Sequence, residues 1–298
     1  MEFSQAESSI SKNKGQNNDN MGQSAGNTHS RTSETLCLRS IEYIAGVIDG
    51  DGNFEIRSIN GIQKLKAIRI KLHVRDVRIL ARIKSLLRCG RLRYNKHLAT
   101  WVVSTTAEMR RIILLLNGHI RLKVPHFHKA CDYFGIIPKR PDPVLTPPNG
   151  YLYGLIDTDG SIIFNYSSNR IELHLELKKT VYSERLDLTR SIPGATVRVL
   201  PLVKRNQTKH KIFYSIRFSF DTVENMIHIY NFIMKFRLYS DFKFYRVSKI
   251  PMFLKIRQFK KEPWGSIEHK IYSKWVLDFI KYLNPKYTKV SYYTKLSR

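Results

Sequence analysis

Two closely similar stretches of the chain each carry a pair of aspartates. The first reads IAGVIDGDG and contains Asp49 and Asp51, and the second reads LYGLIDTDG and contains Asp157 and Asp159. Carboxylates are hard oxygen ligands of the kind that Mg²⁺ prefers. Metal ions held by such groups can activate a water molecule and stabilise the leaving oxygen of a phosphodiester. The repeated acids therefore predict a metal-assisted hydrolytic site to which both stretches contribute.

The acids fall where a helix is predicted to end. Apolar residues recur at helical spacing before them, and Gly52 and Gly160 are expected to adopt the positive φ that turns such a helix into a strand. A helix C-terminus carries partial negative charge, so a carboxylate there costs a few tenths of a kcal/mol up to about 1 kcal/mol. Both stretches place carboxylates at this disfavoured position, and such a repeated departure indicates a functional role rather than a turn alone.

The two predicted helices can also approach each other closely. Small residues, Gly46 and Gly154, lie within them. If the helices pair about a pseudo-two-fold axis, the last acids of both stretches meet. Two carboxylates about 5 Å apart repel by about 3 kcal/mol at an effective dielectric of about 20. Divalent cations would remove that cost.

Alternating strands follow each acidic stretch. One face of the second strand is predicted to be apolar (Ile68, Ile70, Leu72, Val74) and the other basic (Arg69, Lys71, His73, Arg75). The corresponding strand after the second acidic stretch is predicted to have an apolar face (Ile171, Leu173, Leu175, Leu177) and a polar face (Glu172, His174, Glu176, Lys178). Further strands are predicted near 91–104 and 196–220, and helices near 75–90, 106–117, 126–136, 182–192, 222–236 and 248–258. Each half is therefore predicted to be αββαββαα, an α+β fold with a four-stranded antiparallel, saddle-shaped sheet, and the pseudo-symmetric halves pack through the acidic helices.

The chain is strongly basic. Its 51 Lys and Arg residues against 24 Asp and Glu give a formal net charge of +27, which indicates a polyanionic partner. No run of about 18 apolar residues predicts a membrane span, so nucleic acid is favoured over a membrane. The 3 cysteines form no CxxC pair, and we expect ordinary thiols.

Composition divides the chain into five segments. Residues 1–36 are rich in Gln, Asn, Ser and Gly, are expected not to fold, and match neither a secretory signal nor a transit peptide. The other predicted segments are a first repeat at 37–137, a proline-rich linker at 138–149, a second repeat at 150–262 and a C-terminal helical extension at 263–298. Aromatic residues of the extension are predicted to pack rather than to stack on bases.

The stretches at 44–52 and 152–160 resemble the paired signature of the LAGLIDADG homing endonucleases, of the single-chain, two-repeat type encoded by organellar group I introns. The resemblance covers about 37–262, including the linker and the strand order. It implies a monomeric, site-specific endonuclease that lays its sheets in consecutive major grooves of a long asymmetric DNA target. It also implies a double-strand cut with short 3′ overhangs and a dependence on Mg²⁺, for which Ca²⁺ or Mn²⁺ can substitute in vitro.

The same resemblance assigns roles to individual residues. The catalytic, metal-binding acids would be Asp51 and Asp159, with further metal ligands from the carbonyl oxygens of Gly50 and Thr158, and no other cofactor. Asp49 and Asp157 would stabilise the turn. The basic residue that the family carries near each cleavage centre corresponds to Lys123 in RLKVPHF and Lys243 in SDFKFYR, where it would stabilise phosphorane charge or orient water.

Side chains of the strands are expected to contact DNA. Phosphate contacts would make the affinity fall with salt, and contacts to base edges would set specificity. The predicted DNA-binding residues are Arg57, Arg69, Lys71, His73, Arg75, Arg91, Arg93, His174, Lys178, Arg198, Lys204 and Arg217. The resemblance also implies a polar pocket residue near the end of each second strand, either Lys71 or His73 in one half and either His174 or Lys178 in the other. Glu172 and Glu176 do not fit a uniformly phosphate-binding face.

Two other functions stay open at this point. The same basic scaffold could be an RNA maturase that binds its own group I intron, alone or together with nuclease activity. A non-cleaving DNA-binding regulator is a third hypothesis. The presence of both acids favours the nuclease, because a pure binder has no reason to keep mutually repelling carboxylates. An intron-encoded origin predicts a mitochondrial location, with a plastid less favoured, and an organelle-encoded protein needs no transit peptide.

Overall fold

The computed structural model describes residues 36–205 and 212–296, which belong to one compact unit. The predicted tail at 1–36 lies outside the described residues apart from Leu36. Across the part of the chain that the structure describes, no helix is long and apolar enough to cross a membrane.

The first half contains four strands and four α-helices in an αββαββαα order. It runs α1 (Leu38–Asp51), β1 (Gly52–Ile59), β2 (Ile62–His73), α2 (Val77–Leu87), β3 (Arg91–Tyr94), β4 (Leu98–Val103), α3 (Thr106–Leu116) and α4 (Val124–Tyr133). The strands form one antiparallel sheet in the order β1-β2-β4-β3.

The second half repeats this architecture and adds helices at its end. It runs α5 (Gly150–Asp159), β5 (Gly160–Asn165), β6 (Arg170–Lys178), α6 (Val181–Arg185), β7 (Arg198–Arg205), β8 (Ile212–Phe220), α7 (Val223–Lys235), α8 (Asp241–Ser248) and α9 (Ile250–Ile256). The sheet order is β5-β6-β8-β7, antiparallel throughout. After a 3₁₀ turn at Arg257–Lys261 follow α10 (Ile267–Lys281), a 3₁₀ turn at Tyr287–Lys289 and α11 (Tyr293–Leu296). The predicted α+β fold with two antiparallel four-stranded sheets is confirmed.

Two of the predicted helices differ from the structure. The helix expected at 182–192 is only α6, because the Asp187 carboxylate accepts hydrogen bonds from the N–H and hydroxyl of Thr189 and forms a local turn instead. The helix expected at 248–258 is α9, which begins at Ile250 with Pro251 in its first turn. It is preceded by a separate helix, α8, which the sequence pattern did not predict.

The glycines after the acidic stretches do not have positive φ, contrary to expectation. Gly52 has φ of −79° and Gly160 has φ of −69°, both extended. Their smallness is needed for another reason. A Cβ at Gly52 would lie 2.6 Å from the Cα of Ile48, and one at Gly160 would lie 2.5 Å from the carbonyl oxygen of Ile156. Glycine therefore allows each strand to begin in close contact with the last turn of the preceding helix.

In β2 the apolar and polar faces are separated as the alternation predicts, except at Val74, whereas in β6 Glu172 of the expected polar face is buried at 3% exposure, where Arg170 and His174 pair with it. Ile68, Ile70 and Leu72 of β2 are buried, and Arg69, Lys71 and His73 between them are exposed. Val74 was expected on the apolar face but is 37% exposed, because β2 ends at His73 and Val74 begins a 3₁₀ turn.

Helices α1 and α5 pack against each other at their glycines. A Cβ at Gly46 would lie 2.1 Å from the carbonyl oxygen of Tyr151, and a Cβ at Gly154 would lie 2.2 Å from that of Tyr43. Any larger side chain would have to push the backbones apart. The two acidic stretches thus form the contact between the halves.

The C-terminal helices cover β5, an edge strand. Tyr292 donates its hydroxyl to the carbonyl oxygen of Phe164, and Lys260 donates to that of Tyr166. The Phe164 ring meets the rings of Trp275 and Phe279 edge-on or tilted, at centroid distances of 6.1 and 6.0 Å. Such a cover blocks the edge against pairing with another chain. Trp264, in contrast, is exposed.

Candidate active site

The second acid of each pair is the last residue of its helix. Asp51 ends α1 and is exposed, and Asp159 ends α5 and is partly buried. Burial and, after it, the charge of Asp51 raise the pKa of Asp159 to about 6, against the opposing charges of Lys123 and Lys243. Although the residue as a whole is exposed, desolvation of its carboxylate by the surrounding chain also raises the pKa of Asp51, again against the two lysines. Both carboxylates therefore lie in one electrostatic environment where their negative charge is disfavoured.

The first acid of each pair is buried and serves the structure. Asp49 accepts hydrogen bonds from the backbone N–H groups of Arg121, Leu122 and Lys123 at 2.6 to 3.0 Å. It also accepts one from the hydroxyl of Tyr151 at 2.8 Å. These donors fix the chain segment that enters α4 against the end of α1.

Asp157 makes the equivalent contacts in the other half. Its oxygens accept from the N–H groups of Tyr239 and Ser240 at 2.9 and 3.0 Å and from the hydroxyl of Tyr43 at 2.9 Å. Burial nevertheless raises the pKa of Asp157 to about 6. Tyr43 and Tyr151 immediately precede the two acidic stretches, so the helix of each stretch supplies a hydroxyl to the buried acid of the other.

The two predicted catalytic lysines lie at the ends of the acidic helices. The ammonium of Lys123 donates to the carbonyl oxygens of Ile48, Gly50 and Gly52 at 3.0, 2.7 and 2.6 Å. Burial lowers its pKa, and Asp49, Asp159 and Asp51 oppose this. A cation at this position is favourable, because it faces the partial negative charge of the helix C-terminus.

Lys243 makes the corresponding contacts at the end of α5. Its ammonium donates to the carbonyl oxygens of Ile156, Asp157 and Thr158 at 2.9, 2.7 and 2.8 Å. Lys243 is buried, and burial lowers its pKa against the effect of Asp157. The carbonyls of Gly50 and Thr158, predicted as metal ligands, are thus also the ones that the lysines hold.

Gly50 and Thr158 face each other across the two helices. A Cβ at Gly50 would lie 2.0 Å from the hydroxyl oxygen of Thr158. That hydroxyl donates back to the carbonyl of Gly154 within its own helix at 3.0 Å. A glycine in one stretch therefore makes room for the threonine at the equivalent place in the other.

A cavity of about 630 Å³ opens beside this site. Gly50, Lys123 and His126 line it from the first half, and Asp159 and Lys178 from the second. Within residues 36–205 and 212–296, no group of three or more His, Cys, Asp or Glu side chains could hold a metal ion without other ligands. A cation here would need carbonyl oxygens, water or a phosphate to complete its coordination.

The predicted DNA-binding residues of the first half that belong to strands are exposed on the face of the sheet that helices leave open; they are Arg57, Arg69, Lys71, His73, Arg91 and Arg93. Arg75 is exposed too, but it lies in the 3₁₀ turn after β2, where its guanidinium is 4.5 Å from the ring of Phe242. In the strand register, Thr100 of β4 pairs with Lys71 of β2 on one side and with Arg93 of β3 on the other. Cationic side chains from β2 and β3 therefore lie on either side of Thr100. The acidic residue Glu55 lies among these cations and forms ion pairs with both Arg57 and Arg69.

The sheet of the second half carries its predicted cations in ion-pair networks. Glu176 binds Lys204 and, at 2.9 Å, Arg217, and hydrogen bonds from these residues lower its pKa to about 2 against the effect of burial. Glu172 lies 3.1 Å from His174 and is held in a similar way. Of the remaining predicted residues, Lys178 is exposed and lines the cavity, and Arg198 pairs with Asp221. This face is therefore closer to neutral than the first one.

Sequence reasoning missed the residues that join the two halves. Tyr43 and Tyr151 stand at the same place in both stretches, and that coincidence was the available signal. Asp76 and Ser240, joined by a 2.6 Å hydrogen bond between the halves, had no such signal because they are far apart in sequence.

Two αββαββαα halves joined through helices that end in aspartate define a two-repeat α+β fold. The LAGLIDADG homing endonuclease I-GzeII, solved in complex with its DNA target, shares this fold with a TM-score of 0.50 at 13% identity, over 79% of this chain and 96% of that one. A family model described as LAGLIDADG endonuclease matches residues 44–133. The matched residues include the first acidic stretch, and the paired signature at 44–52 and 152–160 resembles that family.

Two characterised relatives carry different activities in their names. The intron-encoded DNA endonuclease ai2a of Dictyostelium discoideum is 26% identical over 265 residues, which cover 82% of this chain and 78% of that protein. The intron-encoded RNA maturase bI4 of Saccharomyces cerevisiae is 26% identical over 191 residues, 60% of this chain and 29% of that protein.

Proposed function

We propose that this chain is a site-specific homing endonuclease that cuts both strands of a long, asymmetric DNA target and leaves short 3′ overhangs. The observation that carries the proposal is the placement of Asp51 and Asp159 at the ends of two helices in glycine-to-backbone contact. Each carboxylate has a raised pKa in the absence of a cation. Both halves therefore keep a carboxylate whose negative charge is disfavoured, and a pair of helices with a purely structural role would not need such a carboxylate.

The residues present fit a hard divalent cation, and we propose Mg²⁺. Asp51 and Asp159 would hold it with the carbonyl oxygens of Gly50 and Thr158, and a DNA phosphate and water would supply the other ligands. When bound, the ion supplies Lewis-acid stabilisation of charge on phosphate and lowers the pKa of bound water. Ca²⁺ or Mn²⁺ would be able to occupy the same oxygens in vitro.

The chain's own residues orient this site. Asp49 and Asp157 fix the segments that carry Lys123 and Lys243, and each lysine holds the carbonyl preceding a catalytic acid. We propose that their positive charges, which lie at the ends of both acidic helices, would also stabilise charge developed on a scissile phosphate bound beside the acids.

We propose that the open sheet faces bind consecutive major grooves. The basic residues of the first sheet favour strong phosphate contacts there, and affinity is expected to fall steeply with salt. The neutralised second face favours direct base contacts, since Glu can accept from cytosine amino groups. A monomer would suffice, because one chain contains both halves.

The test is selection of cleaved duplexes from a randomised DNA library, with Mg²⁺ and with EDTA. We expect one family of long, asymmetric sites with 3′ overhangs, cut only when Mg²⁺ is present. Asp51→Asn and Asp159→Asn should each abolish cleavage and change DNA affinity by less than about tenfold. Normal cutting by either variant in Mg²⁺ would contradict the site.

A second proposal, RNA maturase activity toward the intron that would encode the chain, is favoured by the similarity to bI4. Such activity needs the basic surface and not the acids. Splicing of the host intron should therefore survive Asp51→Asn, whereas DNA cleavage should not. We also propose a mitochondrial location, for which the similarity to intron-encoded proteins gives support only to an intron-encoded origin.

A further inference from the structure

The aromatic side chains of the C-terminal extension do not all pack into the molecule. Phe279 is buried, and Tyr282 stacks on Tyr245 at a centroid distance of 3.7 Å. Trp264 is 60% exposed, and its ring is tilted against that of His269 at a centroid distance of 4.8 Å. The packing predicted for the aromatic residues of the extension therefore does not hold for Trp264, whose ring is accessible to a partner.

Trp264 lines a groove that follows α10. The groove has a volume of about 450 Å³, and Lys270, Lys274, Lys281 and Leu296 line it as well. The three lysines are separated by four and by seven residues, so they share one face of the helix. They extend over about 16 Å at the rise of an α-helix. We call this cavity, with Trp264 and the three lysines, the α10 groove.

The α10 groove is positively charged. Its lining contains three lysines and one acidic residue, Asp278. Asp278 pairs with Lys274 at 2.8 Å, and both side chains are more than half exposed. Lys281 lies 5.5 Å from the ring of Tyr287. The lining therefore has an excess of positive charge, which favours an anionic partner.

An exposed aromatic ring beside a row of lysines suits a single-stranded nucleic acid. Bases stack on the ring, and the lysines contact the phosphates. A duplex does not suit the groove in the same way, because its bases are already stacked on one another. Asp278 favours RNA over DNA, since a carboxylate repels phosphate but can accept a hydrogen bond from the 2′-hydroxyl, which DNA lacks.

The α10 groove is separate from the surfaces described for DNA. Its lining residues belong to the extension, and none of them lies in a strand or in either acidic helix. It also shares no residue with the cavity beside Asp159. A strand of RNA in this groove would therefore leave the open sheet faces free for a duplex.

We propose that the α10 groove is a second nucleic-acid site of this chain. It binds a single-stranded segment of RNA, which stacks a base on Trp264 and places phosphates beside Lys270, Lys274 and Lys281. As a site for intron RNA, it rests on the second proposed function, RNA maturase activity.

The test measures RNA binding while the sheet faces are occupied. The full chain is first saturated, in Ca²⁺, with a duplex recovered by selection. A fluorescent, unstructured RNA of about 12 nucleotides is then titrated and followed by anisotropy. We expect the RNA to bind without displacing the duplex. Displacement of the duplex, or no binding of RNA, would overturn the proposal.

Variants of Trp264 test the stacking. Trp264→Ala should weaken RNA binding by about fivefold or more, because a stacked base loses its platform, and Trp264→Phe should keep most of the affinity. Both variants should bind and cut the duplex as the unmodified chain does. Ile267→Ala is the matched control, since Ile267 is an exposed apolar residue of the extension outside the groove. Equal losses from Trp264→Ala and Ile267→Ala, or no loss from Trp264→Ala, would overturn the proposal.

The salt dependence of binding tests the lysines. Each phosphate contact of a single strand contributes about 0.7 to the slope of log K against log salt. Lys270→Gln combined with Lys281→Gln should therefore lower that slope for RNA by about 1.4. Lys289→Gln, an exposed lysine of the extension outside the groove, should leave it unchanged. An unchanged slope in the double variant would overturn the proposal.

Two competitors identify the class of ligand. A DNA oligomer of the same sequence should compete at least about threefold more weakly than the RNA, because it lacks the 2′-hydroxyl. An oligoglutamate peptide should compete at least about tenfold more weakly, because it has no base to stack. Equal competition by either one would overturn the assignment to RNA.

Splicing of the host intron separates the site from the function on which it rests. Trp264→Ala should reduce splicing along with RNA binding. If RNA binding is lost and splicing is unchanged, the maturase proposal is contradicted, whereas the groove stands as an RNA site. A chain that binds RNA in this groove and binds no duplex would contradict the proposed endonuclease function instead.

Discussion

Replacing either lysine at the end of an acidic helix is expected to destabilise the fold as well as to impair cleavage. Lys243→Met would leave the carbonyl oxygens of Ile156, Asp157 and Thr158 without their ammonium donor. A cation near a helix C-terminus contributes up to about 2 kcal/mol in partly buried geometry. A buried carbonyl left unpaired costs about 1 to 3 kcal/mol. We therefore expect a loss of about 3 to 5 kcal/mol in the free energy of unfolding.

The assay is urea denaturation followed by circular dichroism, with thermal melting alongside. A loss of this size lowers Tm by roughly 6 to 20 °C in a domain of this class. Lys123→Met should lose less than Lys243→Met, since Lys123 is only partly buried and Lys243 is 8% exposed.

Exposed lysines supply the controls for this experiment. Lys129→Met on α4 and Lys235→Met on α7 remove the same charge from solvent-facing positions and should change stability by less than about 0.5 kcal/mol. If Lys123→Met and Lys243→Met unfold like these controls while cleavage is lost, the lysines act on the substrate alone, and the helix-capping role argued here is refuted.

Three further changes have defined outcomes. Gly50→Ala should destabilise the chain by about 1 to 3 kcal/mol because its methyl meets the Thr158 side chain, and Thr158→Gly in the same chain should recover most of that loss in urea titrations. Asp159→Asn, melted in EDTA, should be more stable than the unmodified chain above about pH 6 and equal to it near pH 4. Because the pKa of Asp159 is raised in the folded chain, its contribution to stability is fully present below the pKa of the unfolded chain and is lost as the pH rises through about 6. A stability difference that does not depend on pH would contradict the burial argument. Glu176→Gln frees the cations that it binds, so DNA affinity should rise and the slope of log K against log salt should steepen by about 1 to 2, whereas an unchanged slope would mean that those cations do not reach phosphate.

The fold was predictable because the sequence patterns that specify it are local and occur in both halves. The alternation of Ile68, Arg69 and Ile70 identifies a half-buried strand from sequence alone, and two similar stretches fix the two halves. Helix boundaries were less predictable where side chains compete with the backbone, as Asp187 does at the end of α6.

The acids of the candidate site have a signal in the sequence, and the residues that support them do not. Asp51 and Asp159 stand out because they break the helix-end rule twice. The capping of carbonyls by Lys123 depends on how α4 packs against α1, which no local pattern reports. The contact of Asp76 with Ser240 depends on the docking of two halves, and the sequence carries no periodicity that would reveal it.

The most direct test of the account is a crystal structure of the chain bound to its selected, uncleaved duplex in Ca²⁺. We expect cation density in contact with the carboxylates of Asp51 and Asp159 and with a phosphate on each strand, while Lys123 and Lys243 still hold the helix ends. Carboxylates turned to solvent, with no cation and no phosphate between the acidic helices, would contradict the central claim.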